Sequence, residues 1–258
     1  MDYPINNKIF QEEAVSTEHA KRMVVMGNKI IVNEGVFDAF GHISIRNPEN
    51  PDTFIISRAL APVSVTLDDL VEMDFNAKIV GGNLDFTPFS ESAIHASIYK
   101  ARPDVNCVCH PHPYEIIPFT CTDVPLRGMF HLYTFYDGIP VFSDLPPECG
   151  LLINTIELGD KLAATLGDKR GVLIRNHGVV VVGETLPRTV LSTITLRDNA
   201  KMLQATMAMG VPITSYAGAE EIKKSTYAHF CGQPAKRAWD YWCVRARSSF
   251  PDVPGVEP

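Results

Sequence analysis

The spacing of apolar positions predicts a chain in which helices alternate with strands. Apolar residues recur at helical spacing over residues 17–34, and Gly35 follows as a stop signal. We expect Ser90 to cap a helix over 91–101, Thr66 to begin a short turn within 65–70, and Pro187 to lie in the first turn of a long helix. The further helices predicted by the same periodicity span residues 114–119, 151–166 and 187–209.

Shorter apolar runs predict strands, and their order indicates the kind of sheet. Several of these runs are close enough along the chain to pair as hairpins, as on either side of the Pro- and Asn-rich segment 47–51. We therefore expect an α/β fold, with α/β/α layers around a mixed, mostly antiparallel sheet rather than a doubly wound parallel one. The predicted strands are residues 42–46, 54–57, 105–112, 138–142, 172–175 and 179–182.

No repeat, low-complexity tract or linker divides the chain, so we predict one domain over residues 1–258. From about residue 213 we expect a C-terminal tail that contains one more helix and then ends frayed or packed on a partner. The six cysteines form no C-x-x-C pair, which favours reduced thiols. The first residues do not resemble a signal peptide, and no apolar run is long enough for a membrane span, so we expect a cytoplasmic protein.

Charge and motif composition exclude several function classes. The formal net charge is −7 and no basic stripe is present, which argues against nucleic-acid binding. The sequence contains no P-loop, no G-x-G-x-x-G and no G-x-S-x-G motif, so nucleotide cofactors and a hydrolase nucleophile elbow lose their support.

The histidines suggest a metal site. His110 and His112 stand two residues apart at the end of a predicted strand. Such residues share one face of the strand, with their Cα atoms about 6–7 Å apart. The prolines beside them stiffen the backbone. The alternative is a surface His-Pro-His-Pro turn. His177 lies in an Asn-His-Gly break between two apolar runs, where buried polar groups need partners. Here the alternative is a hydrogen-bonded core histidine. Three neutral imidazoles are typical of a catalytic Zn, Mn, Fe or Co site.

Glu91 is the candidate that completes this set. It stands in the first turn of a predicted helix, where the helix dipole favours a carboxylate. Beside a metal it would serve as fourth ligand or as general acid/base. The alternative is a simple capping carboxylate.

These motifs together resemble the class II aldolase/adducin family over about residues 27–209. The resemblance implies α/β/α layers around a nine-stranded mixed sheet, usually in a tetramer with active sites at subunit interfaces. It also implies that His110, His112 and His177 bind one divalent metal ion and that Glu91 is an acid/base able to touch it. The matching segments are Ser-Glu at 90–91, His95, Arg-Pro-Asp at 102–104, His-Pro-His at 110–112 and Asn-His-Gly at 176–178.

Two departures from the aldolases of this family point to a decarboxylase-like branch. Those aldolases bind a substrate phosphate with a G-N-[IL]-S motif and a second, glycine-containing loop; here His42 replaces the Asn, and Arg58 stands in the second loop. Phosphate binding by such a loop needs free backbone N–H groups. An arginine in the same place is better suited to a substrate carboxylate. The decarboxylases that this pattern resembles act on hydroxylated aromatic or dienoic acids.

We therefore predict a metal-dependent decarboxylase of a small carboxylic acid, working as a homotetramer. His42 would orient the substrate or relay protons, with a structural histidine as the alternative, and His95 is interpreted as structural or surface. The open alternatives for the whole chain are a sugar-phosphate aldolase, epimerase or dehydratase, and a non-catalytic adducin-like interaction module. The residues assigned to substrate binding are Ser57, Arg58, Ser90 and Tyr241.

Overall fold

A computed structural model describes residues 13–230 and 233–256, and these contain one eight-stranded sheet. Its order is β4-β3-β2-β1-β5-β8-β7-β6, and every neighbouring pair is antiparallel except β6 with β7. The predicted mixed, mostly antiparallel sheet is thus confirmed, with eight strands in the described residues where the family resemblance implies nine. The strands are β1 (His42–Arg46), β2 (Thr53–Ser57), β3 (Leu70–Asp74), β4 (Ile79–Gly81), β5 (Cys107–His110), β6 (Val141–Phe142), β7 (Gly171–Ile174) and β8 (Gly178–Gly183).

Helices cover both faces of the sheet, which confirms the predicted α/β/α layers. They are α1 (Thr17–Asn33), α2 (Ser92–Ala101), α3 (Ile117–Thr120), α4 (Ile156–Leu166), α5 (Leu186–Ala208), α6 (Ala219–Phe230) and α7 (Gln233–Ser249). Because side chains alternate between the faces of a strand, Cys107 and Cys109 of β5 pack with α1, α5 and α7, whereas Val108 packs on the α2 and α4 side. None of these helices is both long and apolar enough to cross a membrane.

Several predicted boundaries move because a side chain or a backbone turn overrides the apolar pattern. Ser90 does not cap α2: it is exposed, and buried Glu91 occupies the N-cap position without a side-chain cap bond. The helix predicted over 151–166 begins at Ile156, since Gly150 and Leu151 both take positive φ angles, 59° and 69°. Thr66 caps a short 3-10 turn with a capping box, and Pro187 lies in the first turn of α5, both as predicted.

The sequence reading missed β3 and β4 and misjudged the C-terminal region. β3 carries polar Glu72 between Val71 and Met73, and β4 has only three residues beside the Gly81-Gly82 turn signal, so neither gave a strand-like pattern. The C-terminal region contains two helices where one was predicted, and α7 packs on the core beside α1 through buried Trp239 and Trp242. Beyond α7, the carbonyl of Val256 lies 2.9 Å from Nε2 of His19 on α1. The five cysteines in the described residues are free thiols, and Cys231 lies outside those residues.

Candidate metal centre

The candidate site forms where two pairs of strands meet beneath α2. In the antiparallel pairing of β1 with β5, His42 stands directly opposite His110. Residues that pair in this way have side chains on the same face of the sheet, here the face that α2 covers. The chain continues from His110 through Pro111 to His112, while His177 occupies the tight connection between β7 and β8. The four histidines therefore come from adjacent parts of one sheet.

Gly178 permits the close approach that brings His112 and His177 together. A Cβ atom at position 178 would lie 2.6 Å from the Pro111 carbonyl oxygen and 2.8 Å from Cδ2 of His112, closer than real Cβ atoms come. The N–H of Val179 donates to the same Pro111 carbonyl at 3.2 Å, which ties the segment after β5 to β8. Positive φ in this connection falls on Asn176, at 55°, and not on the glycine. The Asn-His-Gly break thus serves backbone contact and side-chain placement at once.

The Nε2 atoms of the three predicted ligand histidines surround a common point. Their separations are 3.3 Å for His110 and His177, 3.1 Å for His112 and His110, and 2.9 Å for His112 and His177. Oε2 of Glu91 lies 3.5 Å from Nε2 of His110 and 3.4 Å from that of His177. Ligands about 2.0–2.2 Å from one tetrahedral centre are about 3.3–3.6 Å apart. Three of these five separations lie in that range and the two made by His112 are shorter, so the spacing is close to that of a single-cation site. The group offers one ligand atom from each residue, all within 4.8 Å of one another.

Backbone carbonyls fix the ring orientation of two of these histidines. Nδ1 of His110 donates to the Val179 carbonyl at 2.9 Å, and Nδ1 of His177 donates to the Leu151 carbonyl at 2.7 Å. A carbonyl can only accept, so in the neutral rings the proton is on Nδ1 and the lone pair is on Nε2. Two nitrogen lone pairs 3.3 Å apart repel each other unless a positive charge lies between them. The donor set and its protonation therefore fit a bound cation.

Glu91 reaches the same point from the end of α2. Its Oε1 accepts the N–H of Ile153 at 2.9 Å, which leaves Oε2 toward the imidazoles. Burial favours the neutral acid, but the hydrogen bonds and charges of His110 and His177 outweigh it and hold the pKa of Glu91 below its ordinary value. The simple capping interpretation of this carboxylate is wrong, since its side chain makes no cap bond.

The pKa values of His112 and His177 are shifted in opposite directions. Burial, followed by the neighbouring His110 and His177 rings, lowers the pKa of His112 to about 3, so this ring is neutral and can offer a lone pair near pH 7. Burial also acts against protonation of His177, but the nearby Glu91 carboxylate prevails and raises the pKa of that imidazole.

His42 lies beside the cluster and is part of a second buried group. Its ring centroid is 5.2 Å from that of His110 and 4.5 Å from that of Phe89, and the side chain is 4% exposed. Its Nδ1 lies 2.7 Å from Nε2 of His95, which is fully buried on α2 and not on the surface. Burial, with the charges of His95 and His110 adding to it, keeps the pKa of His42 well below its ordinary value. No role at the site was predicted for His95, because a single histidine in a helix forms no motif of its own.

The residues assigned to substrate binding lie in different environments. Arg58 donates from Nε to Asp69 at 2.7 Å and stacks over Phe86, with 38% of its side chain exposed. Ser57 is buried in β2, Ser90 is exposed, and Tyr241 is 56% exposed on α7. Within the described residues, no hydrogen bond, ion pair or ring contact joins these four side chains to the cluster. Their role in substrate binding stays a prediction.

Comparison with known proteins agrees with this arrangement. Residues 21–204 match the model of the Class II Aldolase and Adducin N-terminal domain. The chain belongs to this family. It is 34% identical to "Decarboxylase tropJ" of Talaromyces stipitatus, over 73% of this chain and 76% of that protein. It is 27% identical to the 3,4-dihydroxyphthalate decarboxylase of Rhodococcus jostii, over 75% of this chain and 82% of the relative.

A solved structure with the same fold is the L-fuculose 1-phosphate aldolase from Glaciozyma antarctica. The TM-score is 0.74, at 22% sequence identity, with 92% of each chain covered. At this identity the likeness shows the fold alone. In this chain, three histidines and Glu91 converge on one point and form a group able to hold a metal ion.

The glycine between the two ligand segments provides a direct test of the geometry. We expect Gly178→Ala to displace His112 and at least halve the zinc bound per chain after reconstitution, because the new methyl group overlaps the Pro111 carbonyl. The overlap should also lower the free energy of unfolding by about 1–3 kcal/mol. Elemental analysis and chemical denaturation measure the two effects. The matched control is Gly218→Ala at an exposed site, and equal zinc content in both variants would contradict the close-approach argument.

Proposed function

We propose that this protein is a divalent-metal-dependent decarboxylase acting on a hydroxylated aromatic or dienoic carboxylic acid. The observation that carries the proposal is the convergence of three imidazole nitrogens and one carboxylate within 4.8 Å, with His42 beside them. The decarboxylase names of two relatives support the reaction class. In this proposal, His110, His112, His177 and Glu91 hold one ion of Mn, Zn, Fe or Co.

Loss of CO2 leaves negative charge on the substrate, and the site has groups suited to it. A divalent cation held by these ligands would supply positive charge that stabilises an oxygen anion as the carbon–carbon bond breaks. His42 would lie against the substrate and orient one of its oxygens. The carbon that loses CO2 must then receive a proton, and Glu91 is the candidate donor in addition to its place among the ligands.

The experiment that tests this function follows CO2 release from a panel of ortho-hydroxy aromatic carboxylates and carboxylated dienoic acids. We expect turnover by the metal-loaded protein, and loss of both metal and turnover in His110→Ala. His131→Ala, which removes an exposed histidine, serves as control and should retain both metal and turnover. Full metal occupancy in His110→Ala would refute the ligand assignment. Release of an aldehyde from sugar phosphates, without CO2 from any acid, would refute the decarboxylase.

A second variant separates the two roles of Glu91. We expect Glu91→Gln to keep most of the metal, since an amide oxygen still faces His110 and His177, and to lower turnover by on the order of 10²-fold because an amide cannot transfer the proton. Single-turnover kinetics and elemental analysis measure the two effects. Near-normal turnover would remove Glu91 from acid/base chemistry. Complete loss of metal would mean that the negative charge of Glu91 is required to hold the ion.

Arg58 is proposed to pair with a substrate carboxylate. Only its Nε is engaged by Asp69, and the two Nη groups make no hydrogen bond with the described residues. A guanidinium held at one edge in this way presents its other edge to a second carboxylate. The partial exposure of this side chain implies a moderate contribution, because solvent screens the pair.

We expect Arg58→Ala to raise KM for the acid about tenfold while metal content stays unchanged, and Arg58→Lys to restore only part of the loss because the planar fork is missing. Asp69→Asn is the matched control, since it removes the carboxylate charge beside Arg58 and keeps the guanidinium. An unchanged KM in Arg58→Ala would leave this residue as a structural partner of Asp69.

Two other functions compete with this proposal. A sugar-phosphate aldolase, epimerase or dehydratase has the same fold, as the Glaciozyma antarctica enzyme illustrates, but would need a phosphate site where this chain has His42 and Arg58. A non-catalytic interaction module would have no use for the retained set of metal ligands. We also propose a single domain over residues 1–258 that works as a cytoplasmic homotetramer, with Ser57, Ser90 and Tyr241 among the groups that line the substrate site.

A further inference from the structure

A buried chain of hydrogen bonds leads from His42 into the protein. Nδ1 of His42 lies 2.7 Å from Nε2 of His95, and Nδ1 of His95 lies 2.6 Å from Oγ of Ser44. The Ser44 hydroxyl in turn lies 2.8 Å from the hydroxyl of Tyr99. All four side chains are at most 4% exposed. We call these residues the His42–Tyr99 chain. None of its hydrogen bonds involves a proposed metal ligand.

Matching periods of strand and helix produce this alignment. His42 and Ser44 are two residues apart on β1, so their side chains share the face toward α2 and are separated by about 6.6 Å along the strand. His95 and Tyr99 are four residues apart on α2, which places them on one helix face about 6 Å apart. Two side chains from each element therefore alternate in one row.

The Tyr99 end of the chain determines the direction of its hydrogen bonds. The Tyr99 side chain is 1% exposed, so its hydroxyl proton needs an acceptor within the protein. Among the described residues, the recorded acceptor for that proton is Oγ of Ser44. Tyr99 therefore donates to Ser44. The opposite direction would bury a hydroxyl proton without a partner, which is unfavourable by about 1–3 kcal/mol.

Each following step then has one solution. Ser44 accepts from Tyr99 and donates its own proton to Nδ1 of His95, which leaves the ring proton of neutral His95 on Nε2. That N–H donates to Nδ1 of His42, so the ring proton of neutral His42 is on Nε2. Burial favours the neutral form of both rings and lowers the pKa of His95 to about 3.

We infer that Tyr99, Ser44 and His95 are positioning residues that hold His42 in the tautomer protonated on Nε2, so that His42 presents a hydrogen-bond donor to a substrate oxygen beside the metal ligands. The tautomer is a property of the folded protein, and only the identity of the oxygen rests on the proposed function. A donor in this position favours substrates with an anionic or carbonyl oxygen, such as the hydroxyl or keto oxygen next to the lost carboxylate.

The same chain decides between the two roles considered for His42. If His42 gave its Nε2 proton to the substrate, replacement through the chain would move one proton from each donor to the next and end with a tyrosinate at position 99. Burial raises the pKa of Tyr99 well above its ordinary value, because no water reaches the hydroxyl to solvate the anion. His42 therefore orients and polarises the substrate, and the proton for the product carbon comes from another group.

The test uses the zinc-loaded protein labelled with 15N-histidine, in which nitrogen chemical shifts distinguish protonated from unprotonated ring nitrogens. We expect His42, assigned by its loss in His42→Gln, to show a protonated Nε2 and an unprotonated Nδ1. In Tyr99→Phe the direction of the chain is no longer fixed, so the His42 signals should move toward the other tautomer by at least a tenth of the population. A wild-type proton on Nδ1, or an unchanged tautomer in Tyr99→Phe, would overturn the inference.

Kinetics provide the second readout. Tyr99→Phe should lower kcat about tenfold while KM and zinc content stay within twofold. His95→Gln, which can still donate and accept, should restore most of the kcat lost in His95→Leu. The matched control is Tyr133→Phe, a buried tyrosine whose hydroxyl donates to the Leu126 carbonyl at 3.0 Å outside the chain. Equal effects of the two tyrosine variants would overturn the positioning role. A preserved His42 tautomer in a protein that decarboxylates no acid would refute the proposed function and leave the chain standing.

Discussion

The mutual repulsion of unprotonated imidazole nitrogens is the constraint on which this site depends. When both rings are neutral, the Nδ1 protons of His110 and His177 are donated to backbone carbonyls, so the Nε2 lone pairs face one another across 3.3 Å. In a buried environment such an arrangement is unfavourable unless a cation lies between the nitrogens. The rest of the fold holds the ligands in this position, through the register of β1 with β5 and the hairpin of β7 with β8.

One loop supports two of the proposed ligands, and its backbone is unusual for that reason. The Leu151 carbonyl accepts from His177, and the Ile153 N–H donates to Glu91 two residues later. Leu151 in this loop and Asn176 beside His177 both have positive φ angles, 69° and 55°, which are unfavourable for a leucine and better tolerated by an asparagine. Both lie next to the cluster and occur where the chain must direct a particular carbonyl or imidazole inward. The surrounding packing and the hydrogen bonds to the ligands compensate for this strain.

The parts of the structure that sequence reasoning predicted are those governed by local periodicity. α1 and β1 follow from apolar spacing. The approach of His110 and His112 was predicted from the two-residue repeat of a strand over 105–112, but β5 ends at His110 and His112 lies just beyond it. The support of Glu91 could not be predicted in this way, because its partner is the backbone of Ile153, 62 residues away. The same holds for α7, where buried Trp239 and Trp242 contribute to the core only through packing with a helix from the other end of the chain.

Position 42 is a histidine where the resemblance to the family's aldolases implies an asparagine, and this difference explains why the chain behind His42 is needed. An asparagine amide carries both donor and acceptor and can turn by half a revolution to present either. An imidazole presents one nitrogen, whose protonation depends on what the other nitrogen contacts. A histidine next to three other imidazoles therefore needs a partner that determines its tautomer and adds no charge. His95 meets this condition because it is neutral, buried and itself held by Ser44. A carboxylate in the same place would favour a charged His42, and a second positive charge beside the ligands would weaken metal binding.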